Sequence, residues 1–188
     1  MRKDKDIPTS SISTQLINLK QMFDQMGVTY NTSKIVLPDG TYSFERLLIN
    51  PRMLSLNIMI EELKLYFNVS EEINDIGSSH IREDRSSRDG SYAVLTRNRT
   101  DSGDQYGVYK NGMNNISSIT LLEHMIYTLV YYRETGFHLD TKTPTTCFGS
   151  CTPSGIVPSL FWNADRNLLD IKWDFAINYD LQTRLVTF

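Results

Sequence analysis

The sequence predicts an α+β fold: a mixed, mostly antiparallel sheet with a buried central helix and flanking helices. Three observations carry this. Three segments repeat apolar side chains at helical spacing, and short strand-like runs bounded by turn residues fall between them. The third helical run is apolar nearly all round, which places it in the middle of the fold or at a subunit contact.

The first helix lies in SSISTQLINLKQMFDQMG, where Ile12, Leu16, Leu19, Phe23 and Met26 share one face. Serines precede that run as N-caps, and Gly27 follows as a stop. Two strand-like segments come next, Lys34 to Leu37 and Thr41 to Ile49, around the turn Pro38-Asp39-Gly40. A second helix over Met53 to Phe67 turns Leu56, Met59, Ile60, Leu63 and Phe67 inward and Glu61, Glu62 and Lys64 outward. Ser91 to Arg97 and Gln105 to Lys110 read as shorter strands. The third helix starts after Ser117 or Ser118 and runs to about Glu134, with Leu122, Met125, Ile126, Leu129 and Val130 joined by Tyr127 and Tyr131. The chain then predicts a hairpin, Ile156 to Trp162 and Leu168 to Phe175 around residues 163–167, and a last strand near Arg184 to Phe188.

At 188 residues the chain fits a single domain, 1–188, able to bury a real core. A net charge of −3 gives no general case for nucleic acid or an anionic membrane as partner. No apolar run reaches the length of a membrane span, and the opening MRKDKDIPTSS has no apolar signal segment. Both predict a cytoplasmic protein, whose two cysteines are free thiols rather than a disulfide. The glycosylation-like triplets at Asn31, Asn68, Asn98 and Asn115 are then accidental.

Residues 74–104 stand apart. Arg82, Arg85, Arg88, Arg97 and Arg99 lie among Ser, Asp and Gly, which reads first as a flexible, solvated loop. The alternative is a loop that orders on an anionic ligand, because the guanidinium fork matches phosphate. Nothing in the sequence singles out one arginine.

Both cysteines, Cys147 and Cys151, sit in PTTCFGSCTPSG. A structural zinc site needs four ligands and usually a second matching pair; here only His138, His124 and Asp140 are nearby, so no metal is expected. Gly-x-Ser-x-Gly, Walker and dinucleotide glycine loops are absent from the sequence. A cysteine nucleophile on a turn entering a strand remains open. The local residues alone favour two small buried hydrophobes, the commoner fate of free Cys.

The order of the elements adds to this. LPDGTYSF is similar to the Gly-Thr phosphate loop and following strand of the thymidylate synthase family, which includes the phage-type deoxycytidylate hydroxymethylases. MIEELKLYFNVSEEI resembles that family's helix with an acidic-Leu-aromatic signature. SGDQYGVYKNG resembles its Gly-aromatic-Gly stretch, and SITLLEHMIYTLVYYRET its central helix ending in an arginine-bearing loop. CTPSGIVPSLFWNADRNLLDIKW follows the plan of nucleophilic cysteine, strand, turn and strand. The resemblance spans nearly the whole chain as an ordered series of short matches. It implies a homodimer that binds a pyrimidine deoxynucleotide, with a thiolate adding to C6 and a reduced folate supplying one carbon at C5. Carried onto this sequence, it implies Cys151 as nucleophile, with Cys147 as the fallback. Arg133 would contact phosphate, in its own subunit or across the dimer. Tyr106 and Tyr109 would line the pocket, and Asn178 and Asp180 would lie on the base side. The family's paired arginines reduce here to Arg133, and KWDFAINYD lacks its Arg-Ser element. Those departures motivate a second expectation, a catalytically inactive oligomeric or partner-binding protein on the same fold.

Overall fold

Ser11 opens the first helix by accepting a hydrogen bond from the Thr14 amide on its side chain, and α1 runs Ile12–Gln25. The computed structural model describes residues 10–38, 45–76, 81–87, 90–105, 116–176 and 181–188. Leu19, Met22 and Phe23 carry the buried face of α1. Gln15 is buried with them, its Nε2 donating to the carbonyls of Ser10 and Glu45 while Oε1 accepts from the Leu47 amide. That one amide staples α1 to the first strand, β1 (Arg46–Asn50).

The segment expected as a strand at Lys34 to Leu37 instead begins with a 3-10 turn, Thr32–Lys34. The reason is local: Asn31 Oδ1 accepts from the Ser33 amide at 3.0 Å, which caps a turn rather than a ladder. The second helix is also shorter than expected. α2 spans Leu56–Lys64, because Ser55 caps the Ile58 amide and the chain tightens at the other end, where the Leu65 and Tyr66 amides reach back three residues. A short α3 (Glu71–Asp75) follows. The turn at residues 38–40, the strand stretch 41–44 and most of the stretch 105–110 fall largely or wholly outside the described residues.

In its described part the stretch 74–104, read first as a flexible loop, holds short strands, one of them within the strand expected at Ser91 to Arg97. It contains β2 (Arg82–Glu83), β3 (Tyr92–Thr96) and the start of β4 (Asp104–Gln105). Charge pairing holds it: Arg85 forms two hydrogen bonds to the Glu123 carboxylate, and Arg97 bonds Asp104.

β5 (Ile116–Ser118) precedes the central helix α4 (Leu121–Thr135). Ser117 and Ser118 thus belong to a strand. The cap is Thr120, which forms a capping box with Glu123, and Gly136 ends the helix at φ +71°, a conformation a side chain would strain. Every residue from Leu121 to Tyr131 is buried, because α4 packs on α2 and on strands of both larger sheets. The chain closes with β6 (Thr145–Thr146), β7 (Ser150–Cys151), β8 (Ile156–Asn163), β9 (Leu168–Phe175), β10 (Gln182–Thr183) and β11 (Leu185–Thr187).

All strand ladders among the described residues are antiparallel; the one parallel contact is an isolated bridge between Val69 and Leu169. The larger sheets are four-stranded, β1-β3-β11-β5, and three-stranded, β6-β8-β9. In the β8–β9 hairpin the pairs Pro158–Trp173, Leu160–Ile171 and Trp162–Leu169 share the apolar face, while Ser159–Lys172 and Phe161–Asp170 share the other. The architecture is α+β.

Candidate functional site

The two cysteines separate in space. Cys147 is fully buried in the core, and its amide donates to the Pro158 carbonyl. Burial pushes its thiol well above the ordinary range, and the carboxylates of Asp140, Glu123 and Glu83 push the same way. Cys151 is half-buried in β7, directly opposite Arg82 of β2. Partners in register share a face, so the Arg82 guanidinium reaches the thiol, Nη2 to Sγ 3.8 Å. Both cysteines are free.

Gly149 sets this ladder in place. Its amide donates to the Ile119 carbonyl, its carbonyl accepts from the Asp84 amide, and a Cβ there would stand 2.8 Å from the Ser118 carbonyl oxygen. Ser150 continues the link, accepting from the Leu121 amide at the first turn of α4. The β2–β7 ladder is therefore docked on the N-terminal end of the central helix.

Arg82 also forms part of the wall of a cleft of about 500 Å³, together with Arg52, Glu83, Leu54, Ile76 and Leu122. That volume suits a small ligand. Glu83 accepts from the Leu122 amide at 3.2 Å and from the Ser150 hydroxyl at 3.4 Å, in both cases on Oε1. Burial, joined by the nearby Glu123 charge, outweighs the two hydrogen bonds and Arg85 and raises its carboxyl to about 7. A carboxyl that exchanges its proton near neutrality inside a cleft is a mark of functional sites.

Glu123 itself is fully occupied. It is 1% exposed and accepts from Arg85, from the Tyr92 hydroxyl at 2.9 Å and from the Thr120 amide. Desolvation and the Glu123 charge hold the Tyr92 phenol far above its ordinary range. A second hollow of about 450 Å³ shares Ser86 with the cleft and is bordered by Lys34, Arg85, Tyr92 and Phe188. Its arginine is already committed to Glu123.

Arg133 is not brought to Cys151. It lies in the last turn of α4, on a hollow of about 200 Å³ between α1 and α4, bonded to Gln25 and stacked over Tyr66. Cys151 adjoins the first turn of the same helix. Arg133 stands twelve positions beyond Leu121, about 18 Å along the axis. Tyr106, Tyr109, Asn178 and Asp180 lie outside the described residues. Among the described residues no three of His, Cys, Asp and Glu are grouped so as to hold a metal ion, and no helix is long and apolar enough to cross a membrane. Comparison with protein-family models, with curated proteins and with solved structures finds no match.

His124 and Asp140, which lie near the cysteines in sequence, have structural partners. His124 Nε2 lies 2.9 Å from Asp140, which also pairs with the buried Arg184 and accepts from the Thr145 hydroxyl. Burial opposes the Asp140 charge, yet Arg184 and His124 hold its carboxyl below the ordinary range; burial lowers the His124 imidazole from its ordinary value, outweighing the pull of Asp140. Neither Arg52 nor Glu83 stands out in the sequence. Arg52 follows a proline in a turn, and Glu83 looks like one charge among many until β2 docks on α4.

Proposed function

We propose that the cleft beside Cys151 binds a pyrimidine deoxynucleotide, with Cys151 as the group that attacks the base. One observation carries the reading: Arg82 borders the cleft and touches the only described thiol open to solvent. Arg52 and Arg82 would take the phosphate as guanidinium–oxygen pairs. The Cys151 thiolate would then form a bond to C6 of the pyrimidine, moving an electron pair to C5, which can accept an electrophilic carbon; loss of the C5 proton to solvent then re-forms the C5–C6 double bond and expels the thiolate. The chemistry of that step comes from the thymidylate synthase resemblance. A reduced folate as the one-carbon donor needs a flat wall for its ring system. The described lining of the cleft is aliphatic and polar, with no aromatic ring, so the proposal stops at the nucleotide and the thiol.

The test is to titrate the protein with deoxyuridylate and deoxycytidylate while following alkylation of Cys151. Protection by either nucleotide supports the reading. No binding of either at millimolar concentration overturns it.

A second reading, a homodimer without catalysis, has its own observation. Leu65, Tyr66 and Phe137 are exposed around the end of α4, where Arg133 stacks on Tyr66. An assembly closed over this end would cover them and would leave Arg133 at a subunit contact. Light scattering at two concentrations, with Leu65→Asp as the disrupting variant, tests it; a monomer at both concentrations rules it out.

A further inference from the structure

The cleft pairs two arginines with a carboxyl poised to change its charge. Arg52 and Arg82 stand on separate segments, one in the turn before α2 and one in β2, and both border the same space as Glu83. The Arg52 backbone is fixed on both sides, its amide donating to Ser91 and its carbonyl accepting from Ser87. Glu83 spends Oε1 on Leu122 and Ser150, which leaves Oε2 as the oxygen available to the cleft among the described contacts.

We infer that this cleft is a proton-coupled anion site, in which an anionic group settles between Arg52 and Arg82 while Glu83 takes up one proton from solvent. The inference rests on the nucleotide reading for what fills the cleft, but it concerns the anionic group alone. An anion beside a charged Glu83 meets repulsion; beside a protonated one it meets a neutral group that donates a hydrogen bond. The charged and titratable groups around Glu83 are Glu123 on α4, Arg82, Asp84 and Arg85 on its own segment, Cys147 and Cys151 around β7, and Arg52 across the cleft. Of these, Glu123 and Arg85 are locked in a mutual pair and Asp84 is exposed and not part of the cleft lining, so Glu83 is the lining carboxyl left to respond.

Sulfate is the probe, because its charge is constant across the range. Calorimetric titration of the full chain at pH 6 and pH 8 should give a dissociation constant at least about threefold weaker at pH 8. Near pH 7, buffers of different ionisation heat should reveal proton uptake on binding. Glu83→Gln should bind sulfate equally at both pH values, and the double variant Arg52→Ala, Arg82→Ala should lose binding at both. Equal wild-type affinity at pH 6 and 8 overturns the proton coupling while leaving nucleotide binding standing. Binding that survives the double variant overturns the anion site itself. Sulfate binding with proton uptake but without nucleotide binding supports this inference and removes the nucleotide reading.

Discussion

Arg82 and Cys151 face each other across a two-residue ladder; the Arg82 guanidinium touches the thiol, and the Arg82 residue is part of the cleft wall. The other cysteine, four positions earlier, is sealed in the core. A single short strand thus sorts two chemically identical groups into one that meets solvent and one that does not.

Native protein should therefore react with one equivalent of an alkylating reagent, at Cys151, and with a second only after denaturation. Cys151→Ser should remove the fast equivalent. The anionic reagent iodoacetate should be favoured over neutral iodoacetamide by the nearby cation, and Arg82→Ala should lower that preference about two- to threefold at low salt. Mass spectrometry of the labelled peptide decides it: label on Cys147 in the native protein contradicts the assignment.

Glu123 is the second point of leverage. It carries a negative charge at 1% exposure, neutralised by a two-pronged bond from Arg85. Removing one member of such a pair strands the other charge, so Glu123→Ala should cost about 3–5 kcal/mol in urea unfolding. Exchanging both residues for apolar ones of similar size should cost far less, because no charge is then stranded. A small loss in the single variant would mean that Arg85 finds water as a substitute.

The sequence reading succeeded where one element decides its own structure. Leu168 to Phe175 is a strand with the expected ends, and α4 is buried all round as its apolar composition requires. It failed where a partner comes from far along the chain. Gln15 binds Leu47 32 positions away, Arg85 binds Glu123 38 away, and Arg46 binds Glu134 88 away. No periodicity encodes such pairings, so a buried Gln looks like a surface one and a tethered arginine looks like a mobile one. The same holds for the site. Cys151 was visible as a thiol before a strand, whereas Arg52 and Glu83 matter only once β2 docks on α4.

The raised carboxyl of Glu83 makes a stability prediction independent of any ligand. Its folded value of about 7 lies above the ordinary unfolded one. The folded protein then binds the extra proton between the two values, and stability falls as pH rises through that window. The loss has an upper bound of ~3 kcal/mol. Asp140 works in the opposite sense at acid pH: its carboxyl is held low, so its contribution is present above the unfolded value and lost as pH falls through the folded one. The buried His124 and the half-buried His138 have lowered imidazoles and act in the opposite sense, so urea midpoints from pH 4.5 to 7.5 should rise in Glu83→Gln and rise less, or decline, in the wild type. The same pH dependence in both proteins would assign the effect to another group.

Gly149 connects the fold to the thiol. A Cβ built there lies 2.8 Å from the Ser118 carbonyl and 2.9 Å from that of Ile119, both backbone atoms at the junction of β5 and α4. Neither can yield without disturbing the capping box at Thr120, so the added methyl must push the 147–151 turn away. Gly149→Ala should cost about 1–3 kcal/mol, the usual range for overpacking. Its sharper signature is local. The Asp84 amide bonds the Gly149 carbonyl, so displacing the turn should strain that bond, shift β7 relative to β2 and open the contact between Arg82 and Cys151. The iodoacetate preference of Cys151 should then fall as it does in Arg82→Ala, although no charge has been removed. A variant that loses stability but keeps the preference would show that β2 and β7 move as one unit.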